Sequence, residues 1–215
     1  MKTSERTGNY WPIWGTCLGF ELLAHLGGEV IHTEKLAPEY ILAKCSSHHQ
    51  AVPLEITSEF PTSKFGRAIP KEVLVSLTNK NSTIHFHHWC LTPQNFTKYE
   101  MDKFWNILAT SHDKNGLEFI SLLEAKNYPI WGSQFHFEKS AYEWTLKFPK
   151  IPHDSTSILS GTFVAQFFVE HSKKNNHRFI DRKTEEENLI FNYNPFFTGN
   201  MRRNSTVDQV YFFKK

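Results

Sequence analysis

The chain holds little cysteine. Its 215 residues contain three, Cys17, Cys45 and Cys90, with no Cys-x-x-Cys pair. That excludes a disulfide framework and a zinc knuckle as the basis of the fold. A lone Cys45–Cys90 bridge stays open, without support from its spacing. There is no run near the roughly 20 apolar residues that cross a bilayer. Nor does one sign of charge dominate: 24 Lys and Arg face 22 Asp and Glu, for a net +2. No basic surplus argues for nucleic acid, and no block of like charge argues for a tail. Repeats and low-complexity segments are absent. The first nine residues, Met1 to Asn9, lack an apolar h-region and do not read as a signal peptide. Taken literally, the chain would stay in the cytosol.

What is abundant is phenylalanine, with 19, and histidine, with 12. The phenylalanines predict a core built on rings, which bury much area per residue. Short apolar runs at Trp11–Trp14, Val52–Ile56, Ile84–Phe86, Leu117–Leu123 and Tyr128–Phe135 read as strands. Phe20–Leu26, stopping at Gly27-Gly28, reads as a helix. Pro70–Leu77 reads as a short helix opening with proline, and Asn95–Ala109 has roughly helical spacing. Thr162–Lys174 is the clearest helix, with Ser160 as its expected N-cap. Glu185-Glu186-Glu187 reads as a solvated helix start. Alternating strands and helices predict an α/β layered fold.

Gly15-Thr16-Cys17-Leu18-Gly19 is the most informative pentapeptide. It lies between a predicted strand and a predicted helix. A nucleophile at such an apex sits in a strained backbone conformation, and small residues two positions either side let the backbone pass. The helix points its first N–H groups at the side chain, which favours thiolate over thiol. The Leu18 amide is then placed to donate to an oxyanion.

A cysteine nucleophile needs a base, and the base needs an orienter. His136 and Glu138 alternate at the end of a predicted strand, so both can face one site. Sites of α/β folds lie at the carboxyl ends of strands. The second histidine cluster is Ile84-His85-Phe86-His87-His88-Trp89-Cys90. His85 and His87 share a strand face, but a zinc site usually wants three or four ligands. With no Asp or Glu nearby and no matching cluster elsewhere, the expectation is no metal, and a substrate contact for one of these histidines.

Several spaced segments resemble the gamma-glutamyl hydrolase family. They are Trp11-Pro12-Ile13-Trp14-Gly15-Thr16-Cys17-Leu18-Gly19-Phe20-Glu21, Phe86-His87-His88-Trp89, Tyr128 to His136, Ala141-Tyr142-Glu143-Trp144, Lys174-Asn175-Asn176-His177 and Tyr193 to Asn200. The resemblance runs from about Tyr10 to Phe213. It implies a three-layer α/β fold of the class-I glutamine amidotransferase (flavodoxin-like) type over residues 10–215, with 1–9 as a segment outside the family. It implies Cys17 as nucleophile, His136 as acid and base, Glu138 as orienter and His87 as a substrate contact. It also implies folate polyglutamate as substrate, no cofactor or metal, a homodimer, a lysosomal or secreted location, and glycosylation. The candidate sequons are Asn81, Asn95 and Asn204.

Two departures from the pattern carry consequences. The family's first βα units, and a Gly-Gly loop that helps form the oxyanion hole, have no counterpart before the elbow, so the chain is expected to be N-terminally truncated. One lost oxyanion donor typically costs about 10²–10³ in rate. Phe137 stands where the family has proline, and cannot fix φ as proline does. Two alternatives follow. One is a glutaminase domain of an amidotransferase, although Glu21 stands where such domains carry glutamine. The other is an inactive paralogue kept for binding.

Overall fold

The structure is a computed structural model, and it describes residues 10–32, 41–198 and 209–213. The expected outlying segment 1–9 and the sequon at Asn204 fall outside them. Two compact units are present, residues 1–175 and 176–215.

The first unit is built on a five-stranded sheet. In chain order its elements begin β1 (Ile13–Thr16), α1 (Leu18–His32), β2 (Ala43–Lys44), β3 (Gln50–Val52) and β4 (Glu55–Ile56). There follow α2 (Lys64–Ala68), α3 (Lys71–Asn79), β5 (Thr83–His85), β6 (Trp89–Cys90) and α4 (Pro93–Lys98). The unit closes with β7 (Trp105–His112), β8 (Glu118–Ala125), β9 (Ile130–Ser133), α5 (Lys139–Tyr142) and α6 (Ser155–Ser172). The sheet order is β1-β9-β8-β7-β4. β1 and β9 are parallel; the other pairs are antiparallel. Two small ribbons, β2–β6 and β3–β5, lie outside this sheet.

Each face of the sheet carries its own core, which is the three-layer arrangement. Successive strand residues point to opposite faces: Leu122 and Trp131 pack with Phe65, Phe135, Phe137 and Phe167, while Leu123 and Ile130 pack with Phe20, Phe96 and Trp105. The expected ring-built core is present on both faces. Buried Glu124 ties α2 to the sheet, accepting from the Lys64 and Phe65 amides and from Trp131 Nε1.

Three expectations are corrected and one open point is settled. α1 does not stop at Gly27-Gly28 but runs to His32. Gly27 serves close packing instead, since a Cβ there would lie 2.3 Å from Trp105 Nε1. Asn95–Ala109 is not one helix. α4 ends at Lys98, Glu100 takes φ 51°, and Trp105 onward is strand. Pairing of β7 with β8 outweighs the local helical spacing. The N-cap of α6 is Asp154, which accepts from the Thr156 and Ser157 amides. Ser160 is inside the helix and donates to the Thr156 carbonyl. Last, Cys45 and Cys90 are disulfide-bonded. The β2–β6 ribbon pairs Ala43 with Cys90, so the fold supplies the proximity that spacing could not show.

The second unit holds α7 (Arg182–Glu187), capped by Asp181, and an antiparallel ribbon of β10 (Phe196–Phe197) and β11 (Gln209–Val210).

Candidate active site

The site follows from one register. In the parallel pair, Thr16 faces Ser133. The residues just beyond each strand, Cys17 on one side and Gln134 to His136 on the other, therefore emerge at the same sheet end. The Cys17 amide donates to the Ser133 carbonyl at 2.8 Å, which locks the junction.

Cys17 has φ 54°, the left-handed conformation expected of a nucleophile at a strand-to-helix turn. It is the free cysteine, and it is partly exposed. The flanking glycines divide the work unequally. A Cβ on Gly15 would lie 2.5 Å from the Gly19 carbonyl oxygen, whereas a Cβ on Gly19 would meet nothing within 4 Å. Gly15 is the one the turn requires. Leu18 is the first residue of α1, so its N–H has no acceptor within the helix.

His136 sits where a short bridge joins it to Ile84, its amide donating to the Ile84 carbonyl at 2.9 Å. Its Nδ1 lies 2.5 Å from Glu138 Oε1, so Nδ1–H donates to the carboxylate and Nε2 is the nitrogen left for Cys17. Burial alone would lower the imidazole's pKa, but hydrogen bonds to Cys17 and Glu138 outweigh it and raise the value to about 9. Burial would raise the Glu138 carboxyl, but its bond to His136 holds it below the ordinary value. At neutral pH the pair is therefore imidazolium and carboxylate. Phe137, in place of proline, is buried between Trp14 and Phe135. Side-chain packing holds this segment where a ring-locked φ is lacking.

Two neighbours escaped the sequence reading of the site. Gln134 Nε2 donates to Glu21 Oε1 at 3.1 Å, linking the strand end after β9 to the first turn of α1. Burial raises the Glu21 carboxyl, partly opposed by that bond. Strand alternation from His136 back to Gln134 was the available signal.

His87, the expected substrate contact, lies beside the Cys45–Cys90 disulfide. It is 3% exposed, with Nε2 2.9 Å from His85 Nδ1 and Nδ1 3.0 Å from the Trp89 carbonyl. Of the sequons, Asn81 is exposed between α3 and β5, while Asn95 is half-buried and donates to the Ile41 carbonyl.

The sequence profile of the glutamine amidotransferase class-I family matches residues 2–150. Gamma-glutamyl hydrolase of Homo sapiens is 38% identical over 207 residues, 96% of this chain and 61% of that protein. Gamma-glutamyl hydrolase B of Dictyostelium discoideum is 35% identical over 207 residues, 96% of this chain and 56% of that protein. Gamma-glutamyl hydrolase 1 of Arabidopsis thaliana is 31% identical over 216 residues, 99% of this chain and 58% of that protein. The chain thus spans less than two thirds of the length of these relatives.

Proposed function

Because the chain belongs to the glutamine amidotransferase class-I family, we propose that it hydrolyses gamma-glutamyl bonds through a thioester on Cys17, with folate polyglutamates as the substrate class. The observation that carries this reading is the Cys17 turn at φ 54° facing a histidine whose far nitrogen is held by Glu138 at 2.5 Å. The relatives' names supply the bond type.

Cys17 Sγ attacks the gamma-carbonyl carbon, and the Leu18 N–H donates to the oxygen as it gains charge. The His136 imidazolium gives its Nε2 proton to the leaving amine, so the C–N bond breaks and a thioester remains. Neutral His136 then takes a proton from water, whose oxygen attacks the thioester; the C–S bond breaks, returning Cys17 and freeing the shortened folate with a new gamma-carboxylate, the glutamate having left as the amine of the first step. Glu138 keeps the Nδ1 proton in place through both steps. The substrate contact expected of His87 stays part of this proposal, the residue being 3% exposed.

The same reading carries a homodimer and a lysosomal or extracellular place of work. The Cys45–Cys90 disulfide supports an oxidising compartment, and exposed Asn81 supports a glycan there. No helix of the described residues is long and apolar enough to cross a membrane.

The test is glutamate release from a folate polyglutamate by purified chain. Release that disappears in Cys17→Ala is the expected result. A folded chain with neither release nor thiol labelling at Cys17 overturns the reading.

A further inference from the structure

Beyond the Cys17 site lies a second grouping of metal-ligating atoms. Cys45 Sγ, Cys90 Sγ and His87 Nδ1 all fall within 4.8 Å of one another. The nitrogen is 3.6 Å from Cys45 Sγ and 3.5 Å from Cys90 Sγ. A tetrahedral zinc with Zn–S of about 2.3 Å and Zn–N of about 2.0 Å sets its sulfur and nitrogen ligands about 3.5 Å apart. Both nitrogen–sulfur spacings are therefore already met. What the disulfide withholds is the separation of its two sulfurs, about 3.8 Å on such an ion.

Proton counting is compatible with the same place. Four polar contacts run in line: the Val52 carbonyl to Thr83 Oγ1 at 2.5 Å, Thr83 Oγ1 to His85 Nε2 at 3.3 Å, His85 Nδ1 to His87 Nε2 at 2.9 Å, and His87 Nδ1 to the Trp89 carbonyl at 3.0 Å. With both imidazoles neutral, the threonine hydroxyl and two ring N–H groups supply three protons for four contacts. With the hydroxyl proton in the short Val52 contact and one proton between the rings, two tautomer pairs remain: one leaves the unprotonated contact at Thr83–His85, the longest at 3.3 Å, and in the other each ring N–H donates back along the line. In the latter, His87 Nδ1 is a bare lone pair facing a carbonyl oxygen and two sulfurs. Such a convergence of acceptors suits a cation, and His85 would be the outer partner that fixes the ligand's tautomer.

We propose that Cys45, His87 and Cys90 form a redox-gated site for a thiophilic divalent cation such as zinc, closed while the disulfide is intact and opened by its reduction. A thiol or dithiol reductant gives two electrons and two protons to the S–S bond, becomes a disulfide itself and leaves two thiols. Binding of the ion releases both thiol protons and forms two metal–sulfur bonds and one metal–nitrogen bond. The Trp89 carbonyl borders the fourth position. Disulfide and metal are mutually exclusive states of one pair of sulfurs. Cys45 is half-exposed, which gives the reductant access.

The test uses the full chain carrying Cys17→Ser, so that its remaining thiols are these two. It is reduced anaerobically with a phosphine and titrated with cobalt(II), then zinc(II). About one cobalt per chain is expected, with a thiolate-to-cobalt charge-transfer band that zinc displaces. The oxidised chain should give no band, and His85→Gln should weaken binding by about tenfold or more. Cys45→Ser or Cys90→Ser should remove most of the band's intensity. Zinc should also shield both thiols from alkylation in the reduced chain, a readout that needs no further substitution. The proposal is overturned if the reduced, folded chain binds no cobalt, if the oxidised chain binds it equally, or if zinc leaves alkylation unchanged.

Discussion

Two histidine–cysteine groupings meet across the Ile84–His136 bridge, and they differ in carboxylate partner, in burial and in the state of their cysteines. The outer one, Cys17–His136, has a carboxylate: Glu138 accepts the Nδ1 proton and His136 is raised to about 9. The inner one, Cys45–Cys90 with His87 and His85, has no carboxylate hydrogen-bonded to either ring among the described residues; each ring leans on the other. Burial lowers His87 to about 4, and His85 well below its ordinary value. The same residue types thus become a charged proton carrier in one place and a neutral, metal-compatible cluster in the other. Burial and the partner, not the imidazole, decide.

That comparison can be broken from its strongest side first. His136→Gln removes both acid and base, and hydrolysis should fall by about 10³-fold or more in kcat. An unchanged rate would remove His136 from the chemistry. Glu138→Gln keeps an acceptor but loses the charge, for which about 10²-fold is expected. It should also move the Cys17 alkylation profile, because the His136 midpoint drops from about 9 toward the ordinary value. A profile that does not move would mean that Glu138 is not what raises His136.

Stability against pH sharpens the contrast. The folded-state value of His136 lies above the ordinary 6.5, so its contribution is complete below about pH 6.5 and fades as pH climbs through 9. His87 runs the other way: its contribution is complete above about 6.5 and fades as pH falls toward 4. Urea midpoints measured across this range should have a shallower alkaline slope only in His136→Gln, and a shallower acid slope in His87→Gln, where His85 still contributes. Identical slopes in all three proteins would contradict the assignment. The smallest effects concern the turn. Gly15→Ala must push its Cβ against the Gly19 carbonyl and should destabilise by about 1–3 kcal/mol. Gly19→Ala meets open space and should be neutral or gain about 0.5 kcal/mol in a thermal melt.

The outer site was legible because its parts are local. A strand, a strained turn and a helix lie within Trp11–Leu26, and the base and its orienter are two residues apart. Phe137 shows where reading from pattern stops, since its anchoring against Trp14 is visible only in the packed core. The inner cluster was not legible. His87 and Cys90 are neighbours in sequence, but the third atom comes from Cys45, brought by a two-residue ribbon no periodicity announces. Gly27 misled for a related reason: its lack of a side chain serves Trp105, not a helix stop.

The Thr16–Ser133 pairing has a use outside chemistry. Gln134 reaches Glu21 across 113 residues of chain, so the thiol and its base become neighbours only when β1 has docked on β9. Such a distant pairing closes a long loop and belongs among the slower steps of folding. Cys17 alkylation in the presence of the His136 partner therefore acts as a clock hand inside the sheet. Followed after dilution from denaturant, it dates the arrival of one strand without any added label.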